Sequence, residues 1–384
     1  MSGERAGQGR AWLEIDLAAV AANLRRILEG VSPASVIPMI KADAYGMGAV
    51  EVARVLDPLD PYGFGVASAE EGRRLREAGI DRRIIVFFPC APIDAETVIE
   101  HGLDVAIIDL EACGSFTGRA RDDGRTLDLH LEIDTGIGRA GLPASGVSVW
   151  GADLAELLSR GGGRIASAFT HFHSADRDPA ATAAQLDRFM RAVDELESFG
   201  IRIPLRHAAN SDAVMHDRQY HLDLVRPGLY LYGGLRGRSP GQGVVPPPDP
   251  VATVRARVLS IRELAAGSTV SYGARYVTAG RARVATVGLG YEGGLPWRAA
   301  AGVDFLWRGD RVPVRGSICM DVSVADVTGV SGVECGDVLT CLGIDGDDEI
   351  TLRDLAVAGG TIEYEVLTGF GRRLPRVYRG GEGS

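Results

Sequence analysis

VIPMIKADAYGMG, residues Val36 to Gly48, sets the frame for the whole chain. Its first five residues form an apolar run that reads as a short buried strand. Lys41 follows directly, so the strand delivers a primary amine to its own C-terminal end. Gly46 and Gly48 then allow a tight turn or close approach to a ligand. Upstream, Trp12–Ile15 reads as another short strand and Asp16 stands where an N-cap belongs. Leu17, Val20, Ala21, Leu24, Ile27 and Leu28 follow at helical spacing. Downstream, apolar runs recur at Phe64–Val66, Ile84–Phe88, Val105–Ile108, Leu127–Ile133, Ile165–Thr170, Pro204–His207 and Leu222–Val225. Helical patterns fill most of the gaps, and one opens with Ser68 and Glu71 spaced as a capping box. Together with Val36–Ile40 these runs make eight strand candidates, the number that closes a (β/α)8 barrel of the TIM type. A doubly wound open sheet is the alternative.

After Tyr232 the texture changes. GGLRGRSPGQGVVPPPDP is rich in glycine and proline and reads as a linker or an irregular crossing. Beyond it, alternating β-branched runs separated by turn residues predict a mostly β domain, with a short helix around Leu352–Val357. The expected organisation is a flexible tail over 1–11, an α/β barrel over 12–238 and a C-terminal β domain over 239–384. The strand at 12–15 is expected to join the β domain.

The chain has 384 residues and a formal net charge of −10, which argues against nucleic acid as a partner. No apolar run could span a bilayer. The opening MSGERAGQGR lacks the apolar core of a signal peptide and reads as a loose tail. Five widely spaced cysteines without a CxxC fit reduced thiols, so a cytoplasmic protein without a metal site is expected. Of the 41 lysines and arginines only Lys41 is a lysine. A genomic bias that turns surface lysine into arginine explains the arginines and leaves the one survivor unexplained. Arginine stays protonated at any working pH, whereas lysine can lose its proton and act as a nucleophile or Schiff-base amine.

In a barrel of this type chemistry sits at the C-terminal ends of the strands. Lys41, Arg139, His171, Ser211 and Arg226 all fall just beyond strand candidates. Singly, His171 reads equally as a satisfied core histidine and Arg226 as a surface charge. Their joint arrival at one barrel mouth points to a site. AANSD and RPGLYLYGG place a hydroxyl and glycine backbone after the seventh and eighth strands, the usual phosphate-binding place in this fold.

KADAYGMG resembles the cofactor-lysine motif of alanine racemases, usually written KANAYGHG. DTGIGR, THF, NSD, VRPG, VSYG, GYEGG, ICMD, TIEYEVLTG and RRLPRVY resemble further family motifs, in the family's order, from about Trp12 to Tyr378. The resemblance implies a barrel with a C-terminal β domain, a head-to-tail homodimer, and pyridoxal phosphate as cofactor. It implies two-base racemisation of a small amino acid, L-alanine to D-alanine, as an isomerase. Lys41 is implied as the cofactor-binding lysine and one base, and Tyr272 as the opposite base, reaching in from the partner subunit. Tyr45, Ser211, Gly228 and Tyr364 match positions that hold the phosphate, with Asn210 and Leu229 beside them. Arg226 matches the arginine facing the pyridine nitrogen, and His171 the histidine supporting Arg226 and the tyrosine base. Arg139 matches a residue near the cofactor phenolic oxygen and the substrate carboxylate. Met320 and Asp321 match partner-subunit residues at the substrate end, and Tyr291 an entrance tyrosine.

The sequence also departs from that pattern. Asp43 replaces the usual asparagine and Met47 the usual histidine of the lysine motif. Gly293 stands where an aspartate is usual, and His173 where a small residue is common. The His173 change reads as packing, with a pocket group as the alternative. Glu132 stands where many members carry a lysine that is carbamylated. A glutamate supplies that anion without modification, so Glu132 is expected to orient Arg139 directly, the alternative being that it points into solvent. Racemisation of serine or another small amino acid, and a non-catalytic carrier of pyridoxal phosphate, are the competing functions. Carriers of that kind lack the β domain that holds Tyr272 and Met320.

Overall fold

The computed structural model of the chain describes residues 9–88, 90–235, 244–371 and 373–381. The expected tail therefore lies largely outside the described residues, as do 236–243 of the expected linker. Asp16 caps the first helix, Leu17–Val31, by accepting from Ala19 N at 2.9 Å. The helix buries Leu17, Val20, Ala21, Leu24 and Ile27, the face its spacing predicts, and packs Leu28 partly buried beside them.

Eight parallel strands follow: Ser35–Val36, Phe64–Val66, Ile84–Val86, Asp104–Ile107, Leu127–Asp134, Gly163–Phe169, Arg206–His207 and Leu224–Val225. They pair in chain order, and the last pairs with the first. Closure between the first two comes from a bridge of Met39 with Gly65, where Gly65 N donates to Pro38 O and Ile40 N to Gly65 O, each at 2.9 Å. A doubly wound sheet would leave two edges open; this one is a barrel. Four strands are shorter than their apolar runs, those of Val36–Ile40, Ile84–Phe88, Pro204–His207 and Leu222–Val225, and three of them have a local cause. Pro38 and Pro204 have no N–H to give a ladder, and Leu222 takes a left-handed φ of 50°. At the helix Ala69–Glu77, Ser68 Oγ accepts from Glu71 N at 3.2 Å, but the reciprocal half of the expected capping box is absent. The Glu71 carboxylate is used elsewhere, as described below.

The remaining strands build a mostly β domain. Its spine is Ala252–Leu264, antiparallel to Ala282–Val287 and Val338–Asp345. The first strand of the chain, Ala11–Asp16, lies in this sheet, antiparallel to Ala252–Ala256 and parallel to Arg376–Arg379. The predicted short helix is Leu352–Gly359; a second, Glu363–Gly369, follows it. The crossing between domains is pinned to the first helix by buried Asn23. Its amide donates to Leu231 O and Asp249 O, and its oxygen accepts from Asp249 N at 2.7 Å. Among the described residues no helix is long and apolar enough to cross a membrane, and no group of three or more His, Cys, Asp or Glu could hold a metal ion.

Candidate active site

A cavity of about 230 Å³ opens at the C-terminal ends of the barrel strands. It brings together Lys41, Tyr45, Arg139, His171, Asn210, Ser211, Arg226, Gly228 and Tyr364, walled by Met39, Phe87, Phe88 and Phe169. A larger cleft of about 760 Å³, by Tyr62, Arg83, Asp128 and Arg164, lies at the opposite, N-terminal end of the barrel.

The backbone that presents Lys41 is unusual. Ala42, Asp43, Ala44 and Tyr45 all have φ between 52° and 57°, a left-handed turn without glycine. Such a conformation costs roughly 1–2 kcal/mol per residue and persists only where surroundings impose it. Here Glu71 clamps it, accepting from Ala42 N at 2.8 Å and Ala67 N at 2.7 Å. Asp43 accepts from Ala49 N at 2.8 Å, and Arg376 of the β domain donates to Gly46 O at 3.2 Å. The Asp43 departure is thus a backbone cap, and Met47 is fully buried packing. Gly48 is needed for close approach, since a Cβ there would lie 2.0 Å from the Tyr378 hydroxyl.

Lys41 Nζ lies 4.8 Å from the centroid of the Phe88 ring, and the Arg139 guanidinium lies 5.0 Å from the same ring. Burial lowers the Lys41 pKa, Arg139 and Arg226 add to the effect, and Glu71 opposes it. The neutral amine, which is the nucleophilic form, is favoured accordingly.

At the other end, Ser211 Oγ accepts from Gly228 N at 2.9 Å and Tyr230 N at 3.3 Å, so its single hydrogen is left to donate. Burial raises the Tyr45 phenol, which stays a neutral donor. Its ring stacks on Tyr232 at 4.8 Å and meets Tyr364 at 5.9 Å. The Tyr45 hydroxyl occupies the space that Gly228 leaves, because a Cβ on Gly228 would lie 2.2 Å from it. Asn210 lines the cavity but spends its side-chain oxygen capping Ala213 N at 3.0 Å. Leu229 is buried in the turn behind Gly228 and does not line the cavity.

Arg226 is buried and held by three hydrogen bonds. It donates to His207 Nδ1 at 2.5 Å, Thr170 O at 2.7 Å and Ala208 O at 3.3 Å, against the rings of Phe169 and Phe87. Burial lowers its pKa to about 9, which leaves it cationic at neutral pH. The residue that supports it by a hydrogen bond is therefore His207, which sequence reasoning passed over as the end of an apolar run. His171 lines the cavity and is kept neutral by burial and by the nearby Arg226, Arg139 and Lys41 charges.

Glu132 is 2% exposed, so it does not point into solvent. Its Oε1 lies 3.9 Å from Arg139 Nη2, the outer limit of an ion pair and beyond hydrogen-bonding distance. That oxygen has no hydrogen-bond partner. Burial raises the Glu132 pKa, against the pull of Arg139 and Arg226. His173 is exposed and bonds Ser174 Oγ at 2.8 Å, so it is not the packing residue the sequence suggested. Gly293 is buried, and a Cβ there would lie 2.6 Å from Leu289 Cδ1.

Tyr272, Met320 and Asp321 are grouped elsewhere in the chain. Tyr272 sits in a turn between the paired strands Thr269–Val270 and Tyr276–Val277. Ser271 Oγ donates to Ser317 O at 2.5 Å and Ser317 Oγ to Tyr272 O at 2.8 Å. This ties the turn to the segment carrying Met320. Tyr272 is 74% exposed and Met320 50% exposed. With Asp321 they line a surface depression that is separate from the Lys41 cavity. Asp321 takes Arg10 and Arg373 at 2.9 and 2.8 Å. Tyr291, also exposed, donates its backbone N–H to Cys319 O at 3.0 Å, beside this group.

The chain matches known proteins along most of its length. The model described as alanine racemase, N-terminal domain matches residues 15–236, and the model described as alanine racemase, C-terminal domain matches residues 251–378. The chain belongs to the alanine racemase family. An alanine racemase of Symbiobacterium thermophilum is 38% identical over 377 residues, covering 97% of this chain and 98% of the relative. The crystal structure of alanine racemase from Streptomyces lavendulae, described as D-cycloserine producing, superposes with a TM-score of 0.90 at 34% identity, covering 97% of each chain. That of Bartonella henselae, described as having covalently bound pyridoxal phosphate, gives 0.86 at 25% identity, covering 97% of this chain and all of the other.

Proposed function

We propose that this alanine racemase family member interconverts L- and D-alanine by moving the α-proton between two bases, with pyridoxal phosphate held on Lys41. The observation that carries the reading is the position of the chain's single lysine inside the barrel-mouth cavity, with its proton disfavoured by burial. The donor set there fits the cofactor. A primary amine suits its aldehyde, aromatic walls suit a flat ring, and the Ser211 and Tyr45 hydroxyls suit a phosphate. The relative from Bartonella henselae, described with covalently bound pyridoxal phosphate, supports the same assignment. When bound, pyridoxal phosphate supplies the electron-withdrawing ring that stabilises charge at the substrate α-carbon.

Ser211, Tyr45 and Tyr364 hold the phosphate, with Asn210 and Leu229 shaping the turn behind them, and cationic Arg226 faces the ring nitrogen. Arg139 receives the substrate carboxylate. Lys41 exchanges the proton on one face and Tyr272 on the other. The active form is a cytoplasmic homodimer in which Tyr272, Met320 and Asp321 of one copy complete the Lys41 cavity of the other, and Tyr291 lines the entrance. The exposure of Tyr272 and Met320 on a face apart from that cavity supports this arrangement. The boundaries proposed for the barrel and the β domain, 12–238 and 239–384, follow the same reading.

A panel of pure L-amino acids, alanine first and serine second, tests the substrate through loss of optical rotation. Alanine is expected to turn over fastest. Faster racemisation of serine would reassign the substrate, and no exchange of any α-proton with solvent would leave a carrier. Two variants probe the pocket. Gly228→Ala is expected to weaken cofactor binding about 10-fold or more, because its Cβ displaces the Tyr45 hydroxyl. An absorbance titration that finds the same Kd as wild type would contradict this. Glu132→Gln keeps shape and removes the charge beside Arg139, so kcat/KM for alanine is expected to fall about 10-fold. Unchanged steady-state kinetics would refute the orienting role of Glu132.

A further inference from the structure

TIM-type barrels are ordinarily filled by layers of branched apolar side chains. This barrel carries a polar line through its core instead. Arg226 Nη1 lies 2.5 Å from His207 Nδ1, and His207 Nε2 lies 2.8 Å from Ser167 Oγ. Ser167 Oγ lies 2.6 Å from His130 Nδ1, and His130 Nε2 lies 3.2 Å from Asp104 Oδ2. The same Asp104 oxygen takes Arg83 Nη1 at 2.8 Å. His207, Ser167 and His130 are fully buried. The line runs from the cavity at one end of the barrel to the Arg83 cleft at the other.

The direction of every bond follows from its first member. A guanidinium can only donate, so His207 Nδ1 accepts. Burial, followed by the Arg226 charge, holds the His207 pKa well below its ordinary value, so the ring is neutral and carries its one proton on Nε2. Nε2–H then donates to Ser167 Oγ. The Ser167 hydrogen is left for His130 Nδ1, and the His130 Nε2 proton faces Asp104. The His207 ring is stacked on Phe169, with centroids 5.1 Å apart and planes 12° apart, and it meets Phe87 edge-on. That packing blocks a ring flip. Replacing buried polar groups of this kind by well-packed apolar residues is often neutral or stabilising, so stability alone does not account for the line. Its distinguishing product is one fixed tautomer at one end.

We propose that His207, Ser167, His130 and Asp104 are positioning residues whose hydrogen-bond relay anchors the His207 ring through its Nε2–H and so seats the Arg226 guanidinium, held on Nδ1, in the active-site floor. The inference rests on the proposed role of Arg226 toward the cofactor ring. The relay itself belongs to the chain alone and can be read without turnover.

The test uses full-length protein labelled with 15N-histidine, with His207→Asn and His130→Asn identifying the signals. Long-range 1H–15N spectra are expected to show His207 neutral and protonated at Nε2. In Ser167→Ala, which replaces one small side chain by another, Arg226 still claims Nδ1, so His207 is expected to stay protonated at Nε2 while its Nε2–H signal shifts and exchanges faster with solvent. For alanine, kcat is expected to fall roughly 10-fold to 100-fold, as small misplacements of a reacting group do, with KM changed less than about 2-fold. Ser167→Thr, which keeps the hydroxyl, is expected to restore both. A doubly protonated or Nδ1-protonated His207 in wild type overturns the relay. An unshifted His207 Nε2–H signal or an unchanged kcat in Ser167→Ala, or an equal loss in Ser167→Thr, overturns its role in positioning. A protein with the expected tautomers that racemises nothing would sink the functional reading and leave the relay standing.

Discussion

Lys41→Arg is expected to lose cofactor binding and racemisation together, with kcat/KM for alanine reduced by about 10³-fold or more. Arginine keeps the positive charge and the reach toward Phe88, so the cavity loses only the capacity to become a neutral primary amine. The chain holds no second lysine that could substitute. Lys41 is half-buried at the cavity wall rather than in the core, so the melting temperature is expected to change little. Wild-type protein supplied with pyridoxal phosphate is expected to turn yellow, and the variant to stay colourless. Borohydride reduction of the yellow protein followed by peptide mapping is expected to place the phosphopyridoxyl group on the peptide containing Lys41. A yellow, active Lys41→Arg protein would remove the foundation of the assignment.

Tyr272→Phe is expected to produce a different deficit. It removes one hydroxyl from a surface turn and should leave folding and cofactor colour intact, since no described hydrogen bond involves that hydroxyl. Racemisation in both directions is expected to fall by about 10²–10⁴-fold, the usual contribution of a positioned acid–base group. Lys41 still serves one face. In deuterated water, one enantiomer of alanine should therefore exchange its α-hydrogen without inversion, while the other exchanges far more slowly. Equal residual exchange of both enantiomers would show that Tyr272 is not a facial base. The asymmetry separates this from a simple loss of substrate binding, which would slow both enantiomers alike.

The parts of this architecture that were legible in the sequence are those set by local pattern. Eight apolar runs with helical spacing between them give the barrel, and Asp16 gives the first helix cap. Because a barrel gathers the ends of its strands, Lys41, Arg139, His171, Ser211 and Arg226 could be placed at one mouth without any knowledge of contacts. What stayed hidden depends on residues far apart in sequence. Nothing in Ala42–Tyr45 announces a left-handed turn; Glu71 imposes it from the first turn of the helix Ala69–Glu77 and Arg376 from the other domain. Glu71 shows why the capping box is only half formed, since its two carboxylate oxygens are taken by Ala42 N and Ala67 N. His130, Ser167 and His207 fall inside runs whose pattern is apolar. Their signal was available as polar side chains at fully buried strand positions. The helix Glu363–Gly369, which brings Tyr364 to the cavity, is short and was read only as a motif.

Under the proposed function each site needs Lys41 from one copy and Tyr272 from another. Mixing the two inactive variants under subunit exchange tests it directly. A mixed dimer of Lys41→Arg with Tyr272→Phe contains one site with both defects and one with neither. With equal amounts and random pairing, activity should return to about one quarter of the wild-type value, since half the dimers are mixed and each has one sound site. Mixed dimers shown by differential tags to form, yet no more active than either variant alone, would contradict the shared site.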